Sequence, residues 1–565
     1  MIGDDKLKAL MREFGVLSTQ RTALKDVWQK AYEFADPANA FITKDYNPKE
    51  LVKAKLYSTA AKRCLPKFVS ALHWTITPQT QKWHTLGAPT EEMNKKQEIR
   101  LFYDKLTATL FEERYKMDAG FNKAMFRIYK NFGIVGLGPV MVDDYIGHGL
   151  RYEAVSPKSF LYRLDRRRRV SKAWRIIKMP FDELADFLRS NGVLQDVLPK
   201  VVCENGKRNP AVAVELTHVV FKLSEDESRA CSVITADGRV ALKYRFWQMY
   251  VIRDAEGTDP FKIILQNGLS SCPYVCPRYQ EQEDSDDTTS PTIDALTDLN
   301  LLNRMRKSGI SGAEKASDPP LLAMDDGDLD SSMPRAGAII SGGVTSDGKA
   351  AIQALDVVGN INVGFELEDK IQAEIEEYYL KPVFMMYYQK NDMTATEVEQ
   401  LSTERNMLMS IYSCPMEDEL LYPMVERELD ILYRQGKFPE TIPDEIAELI
   451  ERGDLFFSIQ YEGGAKKALE RQKAAGIMET AQAVNTIAAF YPQAKNVIKW
   501  RDAIQQVATA NGVSQDFIRT DEEFKAALEE EQEVALEQAR AQSGYQAGVG
   551  DAALTSSDRL MQGRF

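Results

Sequence analysis

Apolar positions along the 565-residue chain recur with two different periods, and the change from one to the other divides it. Leu24, Val27, Trp28, Ala31 and Tyr32 share one face of a helix predicted over 18–36, with Ser18 as its cap and Asp36-Pro37 as its stop. Leu56, Ala60, Cys64, Phe68 and Leu72 predict a second helix over 51–72, bent at Pro66. Trp74 and Trp83 follow it and are expected in the core, given the area a tryptophan buries. Further helices are predicted over 91–117 and 121–131. Between 150 and 290 the pattern shortens to alternating and β-branched runs at 160–164, 170–177, 212–221, 231–234, 240–252 and 261–265. These predict a mostly antiparallel β region with one helix over 181–188.

The helical period returns at 293–307 and 361–379, on either side of a Gly-, Asp- and Pro-rich stretch, 308–359. It is most sustained between 391 and 439. Thr394 and Glu397 have capping-box spacing, and Val398, Leu401, Leu408, Met409, Tyr412, Leu421, Val425, Leu429 and Leu432 form one stripe. Pro415 and Pro423 interrupt it, so a kink or break is expected there, and Gly436 with Pro439 beyond ends it. A strand is predicted at 456–461 and helices over 465–533. The tail, 541–565, is small and polar and reads as a flexible arm or one ordered only by neighbours.

Composition changes this picture little: 44% hydrophobic and 27% charged residues describe an ordinary folded chain, too long for one domain. No apolar run approaches the ~20 residues of a membrane span, and the opening MIGDDKLKALMREFG does not read as a secretory leader. Six cysteines spread over this length predict a reducing, intracellular origin. The net charge of −13 argues against a protein that grips nucleic acid, which needs clustered Lys and Arg. It is compatible with a wall past which DNA slides.

Five motifs invite chemistry. Gly133, Gly136 and Gly138 follow a helix and enter a strand, the reverse of a dinucleotide fingerprint, and are read as a helix exit and turn. Arg163 with Arg166 to Arg169 forms a basic knot, read at a hairpin turn as a solvated face or a salt-bridged subunit contact. Cys272 and Cys276 lack the further ligands of a zinc site. Asp325, Asp326, Asp328 and Asp330 resemble a calcium loop, but Ser331 and Gly337 stand where its glycine and glutamate belong. Gly343 to Lys349 matches G-x-x-x-x-G-K, yet Ala350 supplies no hydroxyl for magnesium, and Asp356 is too near to be a second acidic partner. No catalytic constellation, metal site or cofactor is expected.

Several stretches resemble the portal (head-to-tail connector) proteins of short-tailed bacteriophages. They are Met393-Thr-Ala-Thr-Glu397-Val398 with the helix ending Leu-Tyr-Arg-Gln-Gly436; Leu56-Tyr57-Ser58-Thr59-Ala60 with Thr77-Pro78 and Trp83; Ala154-Val155-Ser156-Pro157; and Cys272-Pro273-Tyr274. Ser58 departs from the Asp usual there. The resemblance implies an α+β portal fold. A wing of N-terminal helices and β region covers 1–288, stem helices 289–315 and 361–386, and a clip 316–360 between them. A tunnel loop follows at 387–394, then a long kinked wing helix 395–437, a wing β segment 438–464, a helical crown 465–540 and the tail. It also implies a non-enzymatic ring of about twelve subunits at one capsid vertex of the virion, assembled in the host cytoplasm. The implied partners are double-stranded DNA in the channel, major capsid protein, scaffolding protein, the terminase large subunit and the tail adaptor, with no membrane. On that basis Gln389, Lys390, Asn391, Asp392 and Met393 are expected at the DNA, and Asp325, Asp326, Asp328, Asp330 and Arg335 at the docking partner. Two other readings stay open: a P-loop-like ATPase using Gly343 to Lys349, and a non-viral oligomeric scaffold.

Overall fold

The structure is a computed structural model. It describes residues 4–43, 56–145, 149–191, 203–204, 207–208, 213–231, 233–234, 240–253, 261–283, 285–317, 321–323, 347, 352–354, 361–385, 395–452, 454–461, 464–510 and 523–535. The chain is mixed α+β, mostly helical with small antiparallel sheets. It divides into two compact units, 1–86 with 105–464 and 87–104 with 465–565.

The first unit opens with α1 (Asp4–Ala35), which starts well before the predicted Ser18. Leu7, Leu10, Met11 and Leu17 continue the apolar face N-terminally and bury against a sheet, so Ser18 is an interior residue rather than a cap. Helix α2 (Ala60–Ile76) starts later than predicted. The Asn303 side chain accepts from the amides of Tyr57 and Ser58 at 2.8 and 3.1 Å and holds them out of the helix. Trp74 lies off the stripe of Cys64, Phe68 and Leu72 and is 59% exposed, against the expectation of burial, whereas Trp83 is buried. The helix predicted over 91–117 is two, a short one at Glu91–Asn94, which belongs to the second unit, and α3 (Gln97–Arg114), which belongs to the first from residue 105 onward. Helix α4 (Phe121–Val135) runs four residues past its predicted end, through a buried Gly133, and stops at Gly136 with φ +78°.

Two hairpin strands follow, β1 (Val140–Tyr145) and β2 (Gly149–Ala154). Next come β3 (Phe160–Leu164), β4 (Val170–Pro180), α5 (Phe181–Ser190), β5 (Ala213–Lys222), β6 (Phe246–Arg253), β7 (Phe261–Leu269) and β8 (Tyr274–Val275). The larger sheet is antiparallel throughout in the order β7-β6-β5-β4-β3, and the smaller is β8-β1-β2. Strand alternation gives the larger sheet two apolar faces. Trp174, Val219, Phe221, Met249 and Val251 meet α1, while Val214, Leu216, Tyr250 and Ile252 meet Leu184 and Leu188 of α5. The strand predicted to begin at Cys231 begins at Val233, because Glu225–Cys231 is helical. Its start is a capping box: Glu227 Oε2 accepts from the Ser224 amide at 3.0 Å and Ser224 Oγ from the Glu227 amide at 3.4 Å.

After β8 come α6 (Leu296–Ser317), β9 (Leu321–Ala323), β10 (Ile352–Ala354), α7 (Ile361–Tyr378), α8 (Lys381–Met385), α9 (Ala395–Met416), α10 (Tyr422–Arg434) and α11 (Asp444–Arg452). Where a kink or break is expected, at Pro415 and Pro423, the chain makes a single π turn, Glu417–Leu421, and one continuous helix runs through both prolines. Widening the turn accommodates the amide that each proline lacks. Gly436, at φ +67°, ends it as expected.

In the second unit, α12 (Gly464–Ala488) and α13 (Trp500–Ala510) enclose a groove of about 530 Å³ lined by Ile477, Thr480, Ile498 and Ala503. Among the described residues no helix is long and apolar enough to cross a membrane.

Candidate functional site

Helices α6 and α7 form an antiparallel pair. Tyr379, just past α7, meets Thr292 at 2.6 Å at one end. Further along, Arg306 donates to Gln372 at 2.8 Å and sits 3.6 Å from Glu368. Leu299, Leu302, Ile371 and Ile375 fill the seam. Beyond the pair, β9 and β10 zip together as Leu321–Ala354, Leu322–Gln353 and Ala323–Ile352. The segment 324–351 is therefore closed at its base on the tip of a two-helix arm. Asp325, Asp326, Asp328, Asp330 and Arg335 lie in that segment and outside the described residues, as does the Gly343 to Lys349 motif except for exposed Asp347. Gln389, Lys390, Asn391, Asp392 and Met393, with Thr394 of the expected capping box, also lie outside them, between the ends of α8 and α9.

The root of the arm is tied to the end of α4. Ser290 accepts from the Ile293 amide at 3.1 Å and donates to the Ile134 carbonyl at 2.8 Å, and Thr292 donates to the Gly133 carbonyl at 2.5 Å. The Tyr279 amide and the Thr288 hydroxyl both donate to the Gly136 carbonyl, at 2.8 and 3.2 Å. These bonds satisfy carbonyls that a helix end otherwise leaves open, and they fix the direction in which the arm departs.

The α9–α10 helix is held by three buried arginines. Arg114 donates to Glu428 at 2.6 and 3.2 Å, Tyr152 donates to the same carboxylate, and Arg114 and Glu428 are both fully buried. Burial alone would lower the Arg114 guanidinium, but Glu428 more than restores it, so it stays above its usual range. Arg278 grips Glu419 in the π turn, through its amide at 3.0 Å and through its guanidinium. Arg427 donates to the Val142 carbonyl at 3.2 Å, to Ser271 Oγ at 3.1 Å and to Asp430 at 3.1 Å. Burial lowers the Arg427 guanidinium, and Asp430 offsets part of that. The anchors were legible only as oddities: Glu428 falls three and four residues from Val425 and Met424, where the stripe calls for an apolar side chain. By contrast Met407, Leu408 and Ile411 on α9 are exposed. The helix is thus fixed at its C-terminal half and from the π turn onward.

The basic knot is a turn closed by Asp165, whose carboxylate accepts from the Arg167 and Arg169 amides at 2.8 and 3.0 Å and is thereby held below its usual range despite burial. Arg163 pairs with Asp286 at 3.6 Å, Arg168 with Glu281 at 3.6 Å and Arg169 with Glu426 at 3.3 Å, all within the chain, so the turn is tied to its own subunit rather than left as a fully solvated face. Burial pushes the Cys272 thiol up to about 12 and Cys276 higher than usual. Both are therefore neutral packing groups.

His218 is fully buried between Tyr250, stacked at 4.2 Å, and two hydrogen bonds: Nδ1 accepts from Tyr274 at 2.6 Å and Nε2 donates to Gln248 at 3.2 Å. Burial, only partly offset by Gln248, pushes it down to about 3 from 6.5. A depressed histidine contributes stability that is present above the unfolded value and is lost as pH falls. Between pH 6.5 and 5 the unfolded chain takes up the proton and the native one does not, which costs about 2 kcal/mol. Denaturation profiles of His218→Gln are expected to lose that part of the acid slope; an unchanged slope would rule it out.

A profile of the bacteriophage head to tail connecting protein family matches residues 7–518. The chain belongs to that family and is a phage portal, or head-tail connector, protein. It is 22% identical over 579 residues to the portal protein of Salmonella phage epsilon15, covering 99% of this chain and 96% of that one. It is 20% identical over 427 residues to a probable portal protein of Bordetella phage BPP-1, covering 74% and 73%. Portal proteins are structural and non-enzymatic, and the family implies an oligomeric ring with capsid and tail partners. The nucleotide-binding and non-viral scaffold readings are set aside accordingly.

Proposed function

We propose that this chain is the ring subunit at one vertex of the capsid, forming the channel through which double-stranded DNA is packaged and ejected. The observation that carries the reading is the arm: an antiparallel helix pair ending in a strand-closed insert, in a chain matched by the connector family over 7–518. In this reading α6 and α7 are the stem, 316–360 is the clip, 387–394 the tunnel loop, α9 and α10 the long wing helix and 465–540 the crown. The clip, with Asp325, Asp326, Asp328, Asp330 and Arg335, docks the terminase motor and then the tail adaptor. Its acidic run suits a basic partner surface.

Gln389 to Met393 face the DNA. Lys390 is the single cation among these five residues, so each subunit offers the duplex one weak phosphate contact rather than a grip. Lys390→Ala is expected to leave ring assembly intact and to change DNA retention or the packaged length in assembled phage. Unchanged retention and length would remove the loop from the proposal.

A further inference from the structure

Helices α2 and α4 depart from the composition of the rest of the chain. Acidic residues outnumber basic ones, 84 to 71, yet neither helix contains an Asp or Glu, and between them they carry six Lys and Arg. The two lie antiparallel, with Gly133 beside Leu65 and Phe68 at one end and Phe126 against His73 at 4.4 Å at the other. Lys62, Arg63 and Lys67 on α2 and Lys123 and Arg127 on α4 are exposed, and none of the five has an ion-pair partner among the described residues. Two carboxylates at the margins are already taken, Asp36 by Lys130 at 2.6 Å and Glu376 by Lys381 at 2.5 Å. The same two helices expose aromatic side chains, Trp74 at 59% and Phe126 at 43%.

Charge and rings together narrow what this surface fits. Five free cations call for a polyanion, and two half-bare aromatic rings call for apolar area to cover them. A DNA duplex would meet the cations but leave both rings bare, because its bases are stacked on one another, and a net charge of −13 on the chain repels so long a polyanion. A second copy of the same face would set cation on cation. An acidic polypeptide supplies both requirements within a short length. Two antiparallel helices leave a shallow groove along their joint, into which the ridge of a third helix fits. From Lys62 to Trp74 the face runs about 18 Å, room for three turns of such a helix.

We infer that the outer face of α2 and α4 docks an acidic amphipathic helix of another protein, its carboxylates on the five cations and its apolar stripe on Trp74 and Phe126. One chain carries the whole surface, so docking does not depend on ring closure. The full chain is titrated, by fluorescence anisotropy, into a labelled three-heptad peptide of Glu, Ala and Leu with its leucines in one stripe. The control is a peptide of the same composition with its leucines spread around the helix. The variants are K123E/R127E and W74S/F126S, each checked for a wild-type circular dichroism spectrum. The striped peptide is expected to bind more tightly than the control, and more weakly as salt is added. Each variant is expected to weaken it at least about tenfold while leaving the chain's own assembly, read by sedimentation velocity, unchanged. No binding of the striped peptide, binding no tighter than the control, or wild-type binding by either variant would overturn the docking surface. So would an oligonucleotide, duplex or single-stranded, that binds more tightly than the peptide and is lost in K123E/R127E, since the face would then take nucleic acid. A shift in the assembly of either variant would instead make it a contact between copies. None of these results bears on whether the chain forms a ring.

Discussion

Glu428→Ala is expected to destabilise the first unit by about 3–5 kcal/mol, a large part of the ~5–15 kcal/mol that holds a typical domain together. The substitution leaves Arg114 buried without its carboxylate. The remaining neighbours do not replace it: Trp83 and Phe111 lie 4.6 and 5.0 Å from the guanidinium, and His84 Nε2, at 3.0 Å from Nη1, accepts one proton but carries no negative charge. Burial and Arg114 together hold His84 well below its usual range, so it is a neutral acceptor. Removing both charges, as Arg114→Met with Glu428→Leu, is expected to recover much of the loss, since a buried pair is worth little net but its halves are costly alone. Urea denaturation of the single and double variants measures both. A single-variant loss under about 1 kcal/mol would mean that the long helix is not anchored through this pair.

Gly136→Val is the second large effect, and its target is the direction of the arm. A Cβ at Gly136 would stand 2.0 Å from the Thr289 carbonyl oxygen and 2.8 Å from Thr288 Oγ1, and φ is +78°. The left-handed conformation costs a β-branched residue roughly 1–2 kcal/mol, and the clash is with backbone rather than with a movable side chain. The strand at Thr288–Thr289 must shift, and with it the Ser290 cap that starts the arm. Loss of soluble protein, or at least about 3 kcal/mol of stability, is expected. A soluble variant of wild-type stability would show that this junction does not set the arm.

The contrast between these two sites shows what the sequence disclosed. Gly136 was readable as a helix exit, because a glycine between a helical stripe and a β-branched run has few other uses. The paired apolar stripes of α6 and α7 around a Gly- and Asp-rich insert were equally plain. The N-terminal half of α1 was missed because its stripe is spaced around Gly15 and interior serine and threonine, and its partner sheet lies far along the chain. Pro415 and Pro423 announce a kink or a break without distinguishing them, and only the packing of Leu420 and Leu421, both buried, shows that the chain passes through as a π turn. Glu428 and Arg114 are 314 residues apart. Periodicity marks each as out of place on its own helix but carries no information that the two meet. The residues expected at DNA and at the docking partner rest on resemblance, since short polar loops have no periodicity to read.

Whether this chain closes into a ring around a DNA-sized channel is decided by negative-stain electron microscopy of the purified protein. Closed rings of uniform subunit number, with a central hole wide enough for a duplex, are expected. Two-fold dimers, open filaments, or monomers at every concentration examined would contradict the ring reading.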